Sequence, residues 1–328
     1  MLMNSTKARQ LLMDNSALVT LIVLVIIATF IMGDTFLSVT NIRNILLNNA
    51  IVGIIALGMT MIIITGGIDL SVGSLTAACG LAALFVMNTT GSIALGFLAA
   101  IGVGVLVGGV NGALVAKFNI PAFIVTLGMM RVIRSLSLHY FRGGGIMIDR
   151  NPDLGVAGFL RFSGTRLFND TIPLPVFYWL GLAVLMAIVC NRTAIGRHMY
   201  ALGSNEKAAF LSAVNVDKVK IIIYMIAGAL VGVAALVEAS RIGSMNSASS
   251  GIFYELEAIA AVIIGGTAIS GGRGRIMGTV YGTLILGVIN NLMNLMGLPS
   301  FLIGAIQGSI VILAVLLQQI VSRKEKKY

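Results

Sequence analysis

The chain of 328 residues is 58% apolar and only 10% charged, whereas soluble globular domains carry about 25% charged residues. A water-soluble fold of this length cannot bury so much apolar surface. Soluble enzymes and soluble binding modules are therefore excluded, and an all-α integral membrane protein is expected. The formal charge of +10 does not point to nucleic acid, because the basic residues stand at the ends of apolar runs instead of clustering on one face.

A helix that crosses about 30 Å of hydrocarbon needs roughly 20 apolar residues. Ten stretches read as spans: 17–33, 45–64, 70–88, 92–116, 121–140, 174–190, 219–239, 257–271, 275–296 and 299–320. The expectation is one transmembrane domain over 1–328, a polytopic bundle of about ten helices. Its 39 glycines lie largely within the runs, and small residues let helices in lipid pack closely. Cys79 and Cys190 also sit inside runs and read as small buried hydrophobes rather than a disulfide or a metal site.

The first run is too long for a signal-peptide core and lacks a small-residue cleavage site, so it reads as an anchor after a short N-terminal segment, 1–16. The second run ends in GGIDLSVGS, residues 66–74. An aspartate followed by serines and glycines marks a helix break and restart, with Asp69 or Ser71 placed to cap the next helix. The same residues (Gly66, Gly67, Asp69, Ser71 and Gly73) are candidates for gating or for the path of a solute, since broken helices in membranes line protein or water. Runs 70–88 and 257–271 are short or glycine-broken and read equally well as half-helices or re-entrant segments.

Asn111 lies in a Gly-rich run and reads either as interhelical glue or as a path residue. Arg131 and Arg134 are three apart and share a face. With the fifth span ending near Met130 both are interfacial, and Glu238 is a counter-charge candidate. His139 and His198 read as interfacial. Residues 142–173, with Gly143–Gly145 and two prolines, read as an irregular cap.

A basic polar island, Asn191–Lys220, separates two long runs, with its loop at 191–219. Its centre, Asn205–Val214, can form a short helix. Glu206, Lys207 and Phe210 fall on neighbouring positions with Ala208 and Ala209 beside them. The expectation is a docking knob with an alanine-rich surface. Further on, ELEAIAAVIIGGTAISGGRG at 255–274 loosely repeats the earlier MIIITGG, which fits either two structural halves or chance likeness between Gly-rich segments. Asn290 and Asn294 lie one turn apart on a shared face. They read as interhelical glue or as the lining of a path for a hydroxyl-rich solute. A basic tail, 321–328, closes the chain.

All eight lysines fall at the termini or on connections of one parity, and the opposite connections carry arginine only: Arg43, Arg142, Arg150, Arg161, Arg166 and Arg241. Positive residues favour the cytoplasmic side. Both termini and the 191–219 loop are thus expected in the cytoplasm, and 142–173 outside. The chain has no phosphate loop, no H-E-x-x-H, no G-x-S-x-G and no metal-ligand spacing, so no catalytic residue and no metal site is expected.

Four ordered segments carry a family resemblance: IVGIIALGMTMIIITGGIDLSVGSL (51–75), NIPAFIVTLGMM (119–130), AIGRHMYALGSNEKAAFLSAVNVDKVK (194–220) and YELEAIAAVIIGGTAISGGRGRIMGTVYGTLIL (254–286). Together they resemble the membrane permeases of ribose-type ABC sugar importers, over nearly the whole chain. The resemblance implies a homodimer in the bacterial inner membrane, a cytoplasmic ABC ATPase and a periplasmic sugar-binding protein. The cargo would be a pentose or hexose. No cofactor would be bound by this chain, with ATP and Mg used by the ATPase. It also implies that Gly203, Ser204, Asn205, Glu206, Ala208, Ala209 and Phe210 belong to the coupling helix that seats in the ATPase. Two departures stand out. Gly203-Ser204-Asn205 replaces the usual Gly-Gly-Asn, and Ala213 stands where a glycine commonly follows. The competing reading is an ion-coupled secondary transporter of a small polar solute, for which Asp69 is the best candidate.

Overall fold

The computed structural model describes residues 16–168 and 171–325. The N-terminal segment to residue 15 and the last three residues of the tail lie outside them. The described residues form an all-α bundle with a few two- and three-residue strands. Its long helices are α1 (Ser16–Met32), α2 (Val39–Ile64), α3 (Val72–Thr90), α4 (Ile93–Lys117), α5 (Ala122–Tyr140) and α6 (Leu174–Arg192). After the island helices α7 (Ala194–Ser204) and α8 (Glu206–Leu211) come α9 (Val216–Ile242), α10 (Tyr254–Ile264), α11 (Ile276–Leu295) and α12 (Ser300–Glu325). Seven of these, α2 to α6, α9 and α11, are long and apolar enough to cross a membrane.

Of the two readings of 257–271, full span or half-helix, the structure has the shorter element. Its helix covers only Tyr254–Ile264, about 16 Å at 1.5 Å per residue. Gly265 and Gly266 end it, and the turns Ser247–Phe253 precede it, with Gly251 at φ 70° and Phe253 at φ 68°. The neighbouring doubt resolves the other way: α3 runs 19 residues without interruption, because its glycines sit in helical conformation and only residues 65–71 before it leave the helix.

The centre of the bundle is α2, buried at every residue from Ala50 to Ile64. A helix apolar on all sides is stable only when surrounded, and α9, α10, α11 and α6 pack around it. The most extensive helix pair is α4 with α9. On α4, Gly96, Ala100, Gly104, Gly108 and Gly112 recur every four residues on the buried stripe, while Leu98 and Leu106 point outward, 67% and 70% exposed. A side chain at Gly104 would overlap the Gly228 carbonyl, and one at Gly108 the Tyr224 carbonyl. The two backbones therefore touch, as small residues permit in lipid.

The loop after α5 is the irregular cap that its glycines and prolines implied. Gly145–Met147 pairs antiparallel with Ser244–Asn246. Ser163 donates its amide to Ser240 Oγ at 2.9 Å and its hydroxyl to the Val237 carbonyl at 2.8 Å. This end of the bundle gathers Arg43, the 142–173 loop and Arg241. The island gathers with Ile64–Gly67 and Gly271–Gly274 at the other end. The arginine-only and lysine-bearing connections therefore lie at opposite ends.

Replacing Gly228 with leucine should force α4 and α9 apart. Overpacking of this kind costs about 1–3 kcal/mol or more, so the detergent-solubilised variant should lose its monodisperse peak or unfold several degrees lower. A similar substitution at Gly102, where a side chain meets nothing, should leave the melting temperature in place.

Candidate functional site

Two helix ends of the same construction form the core of the site. At the end of α2, Gly66 (φ 82°) donates to the Ile63 carbonyl at 2.9 Å and Gly67 to the Ile62 carbonyl at 3.0 Å. At the end of α10, Gly266 (φ 89°) donates to the Ile263 carbonyl at 2.9 Å and Thr267 to the Val262 carbonyl at 3.2 Å. The likeness between MIIITGG and AVIIGG is thus a shared way of terminating a helix, with a left-handed residue that glycine adopts without penalty.

Beyond the first of these ends, Ile68–Leu70 is not helical. Asp69, 3% exposed, accepts from the Ser71 amide at 2.8 Å and the Ser71 hydroxyl at 2.6 Å. Asn111 of α4 donates to Ser71 Oγ at 3.0 Å. Thr126 of α5 accepts from the Leu70 amide at 3.0 Å, and its hydroxyl proton is shared between the Ile68 carbonyl at 3.1 Å and the Ala122 carbonyl at 2.9 Å. The expected capping of α3 by Asp69 or Ser71 is therefore corrected. Ser71 occupies the N-cap position but makes no side-chain cap bond, because its backbone is already helical (φ −83°, ψ −13°) and its hydroxyl is turned to Asp69. Thr126 was not singled out from the sequence; a hydroxyl in an apolar helix next to a break is the signal that marks it.

The two broken regions meet. A side chain at Gly73 would overlap the Gly251 carbonyl and the Glu255 carboxylate. Lower in the bundle, the Gly272 amide donates to the Ile64 carbonyl at 2.8 Å. Arg134 is not an interfacial residue beyond the end of its span: α5 continues to Tyr140, and the guanidinium donates to the Ser247 and Ser250 carbonyls at 2.9 and 3.0 Å. It pins the turns that lead into α10, while Arg131 is exposed.

The island rests on this junction. A side chain at Gly203 would overlap the Ile64 carbonyl and crowd the Gly272 amide. Tyr200 donates its hydroxyl to the Gly274 carbonyl at 2.9 Å. α8 is capped at both ends. Asn205, in extended conformation, accepts from the Ala208 amide at 3.0 Å, the usual N-cap arrangement. At the other end the Ala213 and Val214 amides reach the Phe210 and Ala209 carbonyls at 3.0 and 3.1 Å, with Ala213 at φ 62°. That is a Schellman turn whose left-handed position favours glycine, which accounts for the residue that the resembling family commonly has there.

The expected alanine-rich docking surface is corrected in part. Ala209 is 4% exposed and faces the body of the protein, whereas Phe210 and Leu211 stand out at 70% and 84%. In a helix of six residues one face must pack, and the register places Ala209 there. Ala208 remains exposed, and Glu206 pairs with Lys220 at 2.7 Å.

At the opposite end, Asn290 and Asn294 line one cavity of about 270 Å³ together with Asn48, Asn49, Arg241, Tyr254 and Glu257. Asn291 lines the same cavity and also makes a reciprocal amide pair with Asn41, at 3.0 and 2.6 Å, so helix glue and cavity lining are both present on α11.

A family model described as the permease component of branched-chain amino acid transport systems matches residues 41–317. The ribose import permease of Escherichia coli (strain K12) is 40% identical over 309 residues, covering 93% of each chain. That of Bacillus subtilis (strain 168) is 41% identical over 303 residues, 91% of this chain and 90% of its own. The fructose import permease of Rhizobium meliloti is 38% identical over 320 residues, 95% of this chain and 88% of its own. No solved structure matches the chain.

Thr126→Val removes the donor and acceptor that serve Ile68 and Leu70 without changing volume. A thermal melt in detergent should show a loss of about 1–3 kcal/mol, recovered by Thr126→Ser. Ala213→Gly should stabilise the island by about 1 kcal/mol through relief of the left-handed alanine, seen as slower amide exchange over 205–214.

Proposed function

The chain belongs to the family of ABC import permeases, and on that premise we propose that it is the membrane-spanning subunit of an ATP-driven importer that carries a monosaccharide. Relatives named for ribose and fructose import, at 38–41% identity over nine-tenths of this chain, support a pentose or hexose as cargo. The sugar arrives from a periplasmic binding protein. Two copies of the chain form the pathway in the bacterial inner membrane, with both termini and the island in the cytoplasm. A separate ABC ATPase binds ATP and Mg, and this chain binds no cofactor and breaks no covalent bond.

The observation that carries the reading is α8. It is a helix capped at both ends, seated by Gly203 on the ends of both broken segments, and presenting Phe210 and Leu211 to solvent. Exposed apolar anchors surrounded by polar residues mark protein interfaces. Gly203, Ser204, Asn205, Glu206, Ala208 and Phe210 form the contact region, and Ala209 supports it from below. When the ATPase closes on ATP, α8 moves with it. The Gly203–Ile64–Gly272 junction passes that movement to Gly66, Gly67, Asp69, Ser71 and Gly73 on one side and to α10 on the other. Asn290 and Asn294 face the solute at the far end.

Co-purification from native membranes in mild detergent tests the assignment. A stoichiometric ATPase should remain with the wild-type chain and be lost with Phe210→Ala, while the variant keeps its melting temperature because the side chain is exposed. Glu206→Lys should also weaken the complex, with part of its effect coming from the broken pair with Lys220. Absence of any ATPase after gentle crosslinking would overturn the importer reading in favour of an ion-coupled carrier, for which Asp69→Asn is the decisive variant.

A further inference from the structure

We propose that the cavity between α2, α9, α10 and α11 is a binding subsite for one neutral sugar ring, an inference that rests on the importer reading and gives its cargo a place in the chain. The cavity measures about 270 Å³, just under the range of about 300–1,000 Å³ typical of drug-sized ligands, so it suits a small solute. Its lining has one guanidinium, Arg241, and one carboxylate, Glu257, which cancel in charge. The remaining polar groups are chiefly amides, and each amide offers donors together with an acceptor. A sugar hydroxyl both donates and accepts, so this lining matches a neutral polyol better than an anion or a cation.

Two of the five asparagines that line the space, Asn48 and Asn294, are left free by the fold. Among the described residues, the side chains of Asn48 and Asn294 have no hydrogen-bond partner within the protein, in contrast to Asn291, which is spent on Asn41. Asn49 is 7% exposed and donates to the Ile45 carbonyl at 2.7 Å. It lies where a side chain on α11 would otherwise be. A Cβ at Gly287 would overlap its amide group, so the glycine is a cradle that lets Asn49 lie along the cavity wall. Tyr254 adds a ring against which the C–H face of a sugar can lie.

The subsite also has a neighbouring cavity. A second cavity of about 380 Å³ shares Glu257 and Asn290 with the first. Gln307 of α12 lines it and donates to Asn290 Oδ1 at 2.9 Å and, more weakly, to Glu257 Oε1 at 3.4 Å.

The test uses the purified permease in nanodiscs, titrated with D-ribose, D-fructose and L-arabinose, with gluconate as a charged control, and binding read by saturation-transfer NMR. At least one neutral sugar should bind and gluconate should not. Asn294→Leu and Glu257→Gln should each weaken binding about tenfold, and Gly287→Ala should weaken it by displacing Asn49. Asn294 is exposed, so its variant tests binding rather than folding and should keep the wild-type melting temperature. Failure of all three sugars to bind, or equal binding by wild type and Asn294→Leu, overturns the subsite. Because this readout needs no ATPase, its failure beside a successful co-purification leaves the importer reading standing, and the reverse pattern removes the importer reading alone.

Discussion

Between Ile64 and Val72 the chain leaves helical conformation inside an otherwise apolar bundle, and hydrocarbon supplies no hydrogen bonds to the backbone groups set free there. Each such group costs several kcal/mol if left unpaired. The rest of the architecture follows from how that demand is met. The caps at Gly66 and Gly67 close the end of α2, Asp69 holds Ser71, and Asn111 and Thr126 reach in from two neighbouring helices. α4 and α5 must therefore lie against the break, and α4 can do so only because its glycine stripe lets it press backbone to backbone on α9. The polar residues inside the membrane and the glycines that surround them thus answer one requirement.

The second broken region uses the same device. α10 ends as α2 ends, and the loop that follows α10 is joined to the end of α2 by the Gly272–Ile64 hydrogen bond. Gly203 sits over that joint with no room for a side chain. A rigid contact of backbone on backbone transmits displacement better than contacts between flexible side chains, since packed interiors resist compression. This gives the island a mechanical connection to both breaks at once. The exposed pair Phe210 and Leu211 lies at the outer end of that connection, and the amide-lined cavity lies at the opposite end of the bundle.

The departures from the family pattern acquire physical content in this frame. Ser204 is the last residue of α7 and exposed, so a serine in place of glycine is tolerated there, while the capping role passes to Asn205. Ala213 carries a left-handed backbone that glycine would adopt freely. It keeps the Schellman turn at some cost in conformational energy. The Glu206–Lys220 pair ties the start of α8 to α9 and partly fixes the orientation in which the apolar anchors are displayed.

Composition and run length by themselves determined the membrane class, most of the helix positions and the end-to-end segregation of lysine from arginine, because the bilayer imposes length and polarity on each segment separately. The motifs at 66–74, 191–219 and 255–274 were also legible, since glycine, aspartate and polar runs within apolar sequence signal a break locally. Only the tertiary structure decided that the helix read at 257–271 stops at Ile264, that Ala209 faces inward while Leu211 faces out, and that Arg134 binds the carbonyls of Ser247 and Ser250. It alone paired Asn291 with Asn41 while leaving Asn294 unpaired, and brought Asn49, Arg241 and Glu257 to the same space. The reason is that these assignments depend on which partner lies opposite a residue. Partners such as Asn41 and Asn291 are 250 positions apart in the chain, and no local pattern encodes such a pairing.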